Sequence, residues 1–170
     1  MVTYGAACSL DLFIAREDHA VDWLIWSDEV AALTAGFWKT IDTVVMGRKT
    51  YEVAVRSGTT AYPDVVNYLC SRTMTTAPDP RVTLAEDGVE LVRRLKEEPG
   101  TGICVMGGGE LAQSLLEAGL IDRVGMNLHP ILLGSGIPLF RRLSGGLRWD
   151  LIESRTLKTG CVYLLYHRRP

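Results

Sequence analysis

Two short apolar runs, each followed directly by glycine, constrain the fold of this chain more than any other feature. Residues 43–46 read TVVM before Gly47, and residues 103–106 read ICVM before Gly107, Gly108 and Gly109. Neither run alternates apolar with polar residues, which is typical of a strand buried on both faces of a sheet. A helical pattern follows each glycine. The sequence therefore predicts an α/β fold in which buried strands end in glycine turns that open helices.

Other runs of strand length recur between helical patterns. The predicted strands are residues 2–8, 43–46, 65–70, 82–84, 102–106, 123–128 and 131–133. Ser27 is expected to cap a first helix, and residues 86–98 and 110–118 predict two more. Residues 149–156 and 161–167 flank a glycine-containing turn and predict an antiparallel hairpin. We expect a three-layer sandwich, in which helices cover a mixed, mostly parallel central sheet that is closed by this C-terminal hairpin.

Length and charge limit the class of protein. The 170 residues have the length of one domain, so residues 1–170 are treated as a single domain. A net charge of −2 provides no broad basic surface for nucleic acid or for an anionic membrane. The apolar runs are well short of the roughly 20 residues of a membrane span, and no secretory signal is readable. We therefore expect a cytoplasmic protein.

The four cysteines and three histidines are scattered along the chain. Cys8, Cys70, Cys104 and Cys161 form no CxxC pair, and no histidine cluster stands near them. A metal site needs clustered ligands, so we expect no metal. Because each cysteine lies in or beside an apolar run, we expect small buried thiols rather than disulfides. His129, between two apolar runs, is expected to be structural.

Three strand ends carry residues that suit an anion. The segment from Gly107 to Glu110 allows a close approach of the backbone to a ligand at a helix start, where free N–H groups favour negative charge. Arg48 and Lys49 follow Gly47 at a second helix start, and Arg72 lies between two hydroxyl residues after residues 65–70. Each feature alone also fits an ordinary turn. A Rossmann fold is a poor fit, because its glycine fingerprint belongs on the first strand.

Four motifs in order resemble one known superfamily. They are residues 9–15 (SLDLFIA), 45–52 (VMGRKTYE), 106–111 (MGGGEL) and 130–140 (PILLGSGIPLF). Together they resemble the dihydrofolate reductase superfamily, and most closely its branch related to the reductase domain of bifunctional riboflavin-biosynthesis enzymes. The resemblance spans nearly the whole chain. It implies a dihydrofolate reductase-like sandwich of about eight strands that binds NADPH along the strand ends.

The resemblance also implies which residues meet NADPH. One group would meet the phosphates, a second the adenosine ribose and its 2′-phosphate, a third the pyrophosphate and a fourth the nicotinamide. In that order they are Gly47, Arg48, Lys49 and Thr50; Ser71, Arg72 and Thr73; Gly107, Gly108, Gly109, Glu110 and Leu111; and Ala7 and Ile14. Arginine suits a 2′-phosphate, so NADPH is expected rather than NADH.

The substrate side of the sequence departs from the family pattern. Leu12 stands where riboflavin-pathway reductases usually have glycine, and Phe13 where they have a basic residue. Asp11 and Asp28 are the candidate catalytic carboxylates, although Asp11 could instead tie its own turn and Asp28 could stabilise a helix start. Trp23 and Trp26 could form one wall of a flat-ring pocket, or belong to the core or a dimer contact.

Two functions follow from these observations. The first is an NADPH-dependent reductase of a small heterocyclic substrate, pterin-like or pyrimidine-like, in which the protein orients the cofactor against a flat ring. The second is a catalytically inactive protein of the same fold that binds NADP(H) or another nucleotide. A homodimer is expected as well, since residues 130–140 and the closing hairpin hold much apolar surface that a two-fold interface would cover.

Overall fold

The computed structural model describes residues 1–169 of the chain and contains ten strands and four helices in that range. The strands, in chain order, are β1 (Val2–Cys8), β2 (Phe13–Ala15), β3 (Thr43–Gly47), β4 (Val66–Cys70), β5 (Val82–Ala85), β6 (Ile103–Val105), β7 (Arg123–Leu128), β8 (Ile137–Pro138), β9 (Trp149–Thr156) and β10 (Val162–Arg168). The helices are α1 (Asp28–Trp38), α2 (Arg48–Arg56), α3 (Gly88–Glu97) and α4 (Gly109–Glu117).

Eight of the strands form one sheet in the order β5-β4-β3-β6-β1-β7-β10-β9. The six strands from β5 to β7 pair in parallel, and β10 pairs antiparallel with both β7 and β9. This is the mixed, mostly parallel sheet with a closing hairpin that the sequence predicts. Apolar side chains of α3 and α4 pack on one face, and those of α1 and α2 on the other. The three-layer prediction is thereby confirmed.

Local sequence accounts for the ends of the helices. The Ser27 hydroxyl accepts from the backbone N–H of Val30 and caps α1, as predicted. Asp87 caps α3 by accepting from the N–H groups of Val89 and Glu90, so this helix begins two residues later than predicted. Gly119 follows α4 with φ of +71°, a conformation that glycine adopts without strain.

One predicted strand is wrong and two strands were missed. Residues 131–133 form no strand: the N–H of Ile131 turns back to the carbonyl of His129, and the Leu132 side chain is 70% exposed. The missed strands are β2 and β8, which pair only with each other in a separate two-stranded sheet. They are three and two residues long, too short to show a period-two pattern.

The parallel strands bring the predicted ligand-binding segments to one edge of the sheet. Gly47 at the end of β3 is in register with Cys70 at the end of β4, and Val45 is in register with Val105 of β6. Segments 47–50, 71–73 and 106–109 therefore leave the sheet side by side. Within residues 1–169 the cysteines are free, with three buried and Cys70 half-buried. No helix in that range is long and apolar enough to cross a membrane.

Candidate active site

The loops after β3 and β6 touch through their backbones. The Gly47 N–H donates a hydrogen bond to the Gly107 carbonyl at 3.1 Å. A Cβ on Gly47 would lie 3.2 Å from the Cα of Gly108, which is tighter than ordinary van der Waals contact. Gly107 and Gly108 also adopt φ of +113° and +89°, where a side chain is strained. Glycine at these positions is therefore explained by a close approach of two loops.

Two helices begin at this glycine contact, and neither has a side-chain cap. The N-cap residues are Gly47 for α2 and Gly108 for α4, and neither supplies a side-chain hydrogen bond. By contrast, Ser27 and Asp87 cap α1 and α3. The free N–H groups of α2 and α4 thus lie close together, and such groups together with the helix dipoles favour an anion.

Exposed cations surround these helix starts. Arg48 and Lys49 open α2, and Arg72 follows β4. Arg48 pairs with Glu52 one turn along α2 at 2.9 Å. Lys49 and Arg72 form no ion pair within residues 1–169, so their charges are available to a ligand phosphate.

The hydroxyl groups of Ser71 and Thr50 make different contacts at the site. The Ser71 Oγ accepts from the N–H of Thr73 at 3.3 Å and of Met74 at 3.1 Å, which fixes the turn after β4 and presents Arg72. The Thr50 Oγ1 lies 3.4 Å from the position that a Cβ on Gly107 would take. Thr50 therefore stands against the loop that opens α4.

Arg141 joins the site, although the sequence analysis missed it. Its Nε lies 3.2 Å from the position of a Cβ on Gly109, and its Nη1 lies 3.3 Å from the Glu110 carboxylate. The guanidinium therefore covers the first residues of α4 and offsets the acidic charge there. Arg141 is about thirty residues from Gly109 and has no local pattern, so only its place after the motif at 130–140 could have suggested it.

Leu111 lies on the far side of the α4 start. A Cβ on Gly88 would be only 2.4 Å from the Leu111 Cδ1 and 3.1 Å from the Cys70 Sγ. Leu111 thus packs α4 against the start of α3 and the end of β4, which holds the glycine loop in place. The Leu111 side chain is therefore occupied in this packing contact.

A cavity of about 220 Å³ lies between the sheet and α1. Ala7 of β1 and Met106, the residue before the glycine loop, line it, so the cavity adjoins the glycine loop that opens α4. Phe37 and Trp38 of α1 form one side, and Asn127 and Tyr163 contribute polar groups. The cavity thus continues from the glycine loop after β6 to the inner side of α1.

The structure places the two candidate carboxylates outside this lining. Asp11 accepts from the Ser9 hydroxyl at 2.5 Å and from the N–H groups of Leu133 and Gly134 at 3.2 and 2.8 Å. The Ser9 bond, followed by these backbone bonds, holds the pKa of the Asp11 carboxyl below its ordinary value. Asp11 thus ties two loops together. Asp28 lies in the first turn of α1, where an acid suits the helix dipole.

Of the two candidate tryptophans and Ile14, Trp26 alone lines the cavity. Trp26 lines the cavity with 70% of its side chain exposed, so it stands at the mouth. Trp23 is buried and packs edge-on against His129, with ring centroids 5.3 Å apart. Ile14 packs against the core on the α3 and α4 side and is not part of the lining.

His129 holds one wall of the cavity. It is only 1% exposed, and its Nδ1 accepts from the Ile25 N–H at 3.1 Å. This bond fixes the segment that carries Trp26. Burial lowers the pKa of the His129 imidazole, so the ring is neutral and its Nε2 carries the proton. The expectation of a structural histidine agrees with this geometry.

Comparison with known proteins places the chain in a family. The model of the RibD C-terminal domain matches residues 1–163. The uncharacterized protein YwjB of Bacillus subtilis (strain 168) is 38% identical over 141 residues, which cover 81% of this chain and 81% of YwjB.

Solved structures give the same result. A protein of Shewanella sp. PV-4, provisionally named as a riboflavin biosynthesis protein, has a TM-score of 0.87 and 28% identity, with 99% of both chains covered. Dihydrofolate reductase from Enterococcus faecalis, complexed with NADP(H) and RAB-propyl, has a TM-score of 0.71 and 19% identity, over 100% of this chain and 97% of that one. The resemblance read from the four motifs is confirmed: the chain has a dihydrofolate reductase-like, reductase-type fold and belongs to the RibD C-terminal domain family.

Proposed function

We propose that this protein is an NADPH-dependent reductase of a small heterocyclic substrate. One observation carries the proposal: two uncapped helix starts meet at the Gly47–Gly108 contact, directly beside an open cavity of ring size. The helix starts suit a pyrophosphate, and the cavity suits the ring that the cofactor reduces. Similarity to a dihydrofolate reductase complexed with NADP(H) supports the same cofactor.

The chain's own residues fit the parts of NADPH. We assign the pyrophosphate to the helix starts at Gly47 and Gly108, with Arg48, Lys49 and Arg141 supplying positive charge. The remaining assignments follow the resemblance: Thr50 and Gly107 to Leu111 around the phosphates, Ser71, Arg72 and Thr73 around the 2′-phosphate, and Ala7 and Ile14 near the nicotinamide. Ala7 alone of this last pair lines the cavity.

NADPH, when bound, supplies the hydride that reduces the substrate ring. The protein's part is to orient that ring and to exclude water. Ala7 and Gly5 provide a floor without bulky side chains, and Trp26 stands over the mouth. Because Asp11 is committed to loop contacts, we do not assign it the role of proton donor.

The alternative is a protein that binds NADP(H) or another nucleotide without catalysis. The open cavity beside the cofactor groove favours the reductase, because a protein that only bound a nucleotide would have no need of a ring-sized space there. Measuring NADPH affinity by fluorescence, and NADPH oxidation by absorbance across pterins, pyrimidines, flavins and quinones, separates the two. Binding together with turnover of a panel member supports the reductase, whereas binding without turnover supports the alternative.

We also propose that the protein acts as a homodimer in the cytoplasm. β9 is an edge strand with Leu151 and Ile152 half exposed, and an apolar cavity next to it is lined by Phe140, Trp149 and Tyr166. A second copy would cover this edge. Free thiols suit a reducing compartment. Light scattering at micromolar concentration should give about twice 18.7 kDa, and a mass near 18.7 kDa would refute the dimer.

A further inference from the structure

A second cavity, of about 400 Å³, lies under α4 on the other face of the sheet. Val124 and Met126 of β7 line it, whereas Gly125 and Asn127, which alternate with them along the strand, line the cavity under α1. The sheet therefore separates the two cavities. No residue that we assign to NADPH lines the second cavity.

The walls of the second cavity are apolar. Within residues 1–169 no charged side chain belongs to its lining. Leucine and aromatic side chains make up most of the walls, namely Leu116, Leu143, Leu147, Phe140, Trp149 and Tyr166. The volume falls within the range of about 300–1,000 Å³ that is typical of small-molecule sites. Such walls favour the apolar part of a ligand, because its burial removes hydrocarbon surface from water.

A loop without helix or strand, residues 141–148, forms one side of the second cavity. Gly145 and Gly146 of this loop line the cavity, and nothing lies within 4 Å of the position that a Cβ on either would take. Two adjacent glycines leave the backbone free to adjust. We therefore expect a ligand to enter past this loop.

Arg168 stands at one end of the second cavity. It lies opposite Trp149 in the register of β10 against β9 and two residues beyond Tyr166, so the three side chains project to the same face of the sheet. The Arg168 Nη1 lies 3.0 Å from the position of a Cβ on Gly119, which is three residues after Leu116 in the chain. The half-buried guanidinium thus lies between the end of α4 and the start of β9, next to the apolar walls.

The guanidinium of Arg168 has an unused hydrogen-bond donor. Its Nη1 is buried and has no partner among residues 1–169. Two acids on neighbouring segments, Asp122 and Asp150, pair with Lys96 and Arg169 instead. The dipole at the end of α4 favours a cation here, but it does not satisfy a buried N–H group. A ligand anion at this end of the cavity would supply the missing partner.

We propose that the second cavity binds a small apolar carboxylate, such as a medium-chain fatty acid. The carboxylate would lie on Arg168, because a guanidinium matches the two oxygens of a carboxylate in geometry and charge. The hydrocarbon part would lie between α4 and the loop at residues 141–148. This site goes beyond the proposed reductase function and does not depend on it, since the two use different faces of the sheet.

The first test uses the unaltered protein without NADPH and three probes of equal chain length. They are octanoate, neutral octanamide and cationic octylammonium, and isothermal titration calorimetry measures their affinities. Octanoate should bind at least about tenfold more tightly than either of the others, because it alone pairs with the guanidinium. Equal affinities would overturn the inference. Absence of octanoate binding would overturn it as well, and would leave the cavity to the second copy of the chain proposed above.

Variants locate the carboxylate. Arg168→Gln should weaken octanoate at least about tenfold and leave octanamide unchanged. Arg169→Gln is the matched control, because it removes the exposed neighbouring cation that pairs with Asp150, and octanoate should bind to it as before. Arg168→Lys keeps the charge without the planar fork and should bind octanoate with intermediate affinity. A folded Arg168→Gln variant that bound octanoate normally would contradict the assignment.

A further variant locates the hydrocarbon chain. Leu147→Trp, which enlarges a side chain of the lining, should fill part of the second cavity and weaken octanoate and octanamide alike by at least about tenfold. Urea unfolding of each variant shows whether it is folded. If a folded Leu147→Trp variant bound octanoate with unchanged affinity, the ligand would lie outside the second cavity and the inference would be wrong.

Discussion

A Cβ placed on Gly108 would lie 3.1 Å from the Cα of Gly47, a backbone atom that belongs to no flexible side chain. The two glycines thus set the distance between the starts of α2 and α4. Neither backbone can move away without separating the N–H groups that form the proposed phosphate site. Cofactor binding should therefore be sensitive to a single methyl group.

Gly108→Ala tests this contact. The methyl group meets Gly47 and the backbone has φ of +89°, so we expect a loss of about 1–2 kcal/mol in stability and at least about tenfold in NADPH affinity. Fluorescence titration and urea unfolding measure the two effects. Gly36→Ala, with open space around it in α1, is the control and should leave NADPH affinity unchanged. Normal NADPH binding by Gly108→Ala would argue against a phosphate site at this contact.

Arg72 should determine the choice of cofactor. Arg72→Ala is expected to weaken NADPH by roughly 1.5–3 kcal/mol and to leave NADH almost unchanged, because only NADPH carries the 2′-phosphate. The preference of the unaltered protein for NADPH should shrink as salt rises. Arg93→Ala, on the exposed side of α3, is a matched control with no expected effect. Comparable affinities for NADPH and NADH at low ionic strength would contradict the assignment.

Arg141 should act on both cofactors alike. Because it covers Gly109 and pairs with Glu110, we place it at the pyrophosphate, which NADPH and NADH share. Arg141→Ala should weaken both by a similar factor of about three to thirty. Glu110→Gln should strengthen both, since it releases the guanidinium and removes an acid from the helix start. If Arg141→Ala weakened NADPH alone, Arg141 would instead be assigned to the 2′-phosphate.

Sequence patterns predicted the features that are local and missed those that arise from contacts over long distances. Strands 123–128 and 149–156 have the predicted bounds, because long apolar or alternating runs carry their own signal. The glycine loop at residues 107–109 was also found, because its three glycines are adjacent in the sequence. β2 and β8 have no such signal, since each is stabilised by the other across more than a hundred residues. Tyr163 was missed because its position beside Asn127 depends on the register of β10 against β7.

The backbone of Leu12 is strained, because this residue stands at a glycine position of the family pattern. It has φ of +61° at the position where the riboflavin-pathway pattern has glycine. A left-handed backbone costs a residue with a Cβ roughly 1–2 kcal/mol. Because Leu12 is 39% exposed, burial of its side chain offsets little of this cost. Leu12→Gly should raise the free energy of unfolding by about 0.5–1 kcal/mol in urea denaturation. Leu10→Gly, where φ is not positive, should lower it, and a destabilised Leu12→Gly would show that the side chain matters more than the backbone.

His129 should make the stability of the protein depend on pH. Burial lowers the pKa of the folded imidazole below its ordinary value of 6.5, whereas in the unfolded chain the ring is hydrated and titrates normally. Below pH 6.5 the unfolded state therefore binds a proton that the folded state does not. Stability is present above this pH and is lost as pH falls toward the folded pKa. The loss cannot exceed about 1.4 kcal/mol per pH unit for one group.

Urea unfolding at about pH 7.5 and about pH 5.5 measures this effect, with His129→Gln as the test variant. The variant should be less stable at the higher pH, because the Ile25 N–H loses its acceptor or keeps it in poorer geometry. Its stability should change less between the two pH values than that of the unaltered protein. His167→Gln, which removes an exposed histidine, is the comparison variant. If His129→Gln retained the whole pH dependence while His167→Gln abolished it, the neutral, wall-holding role of His129 would be wrong.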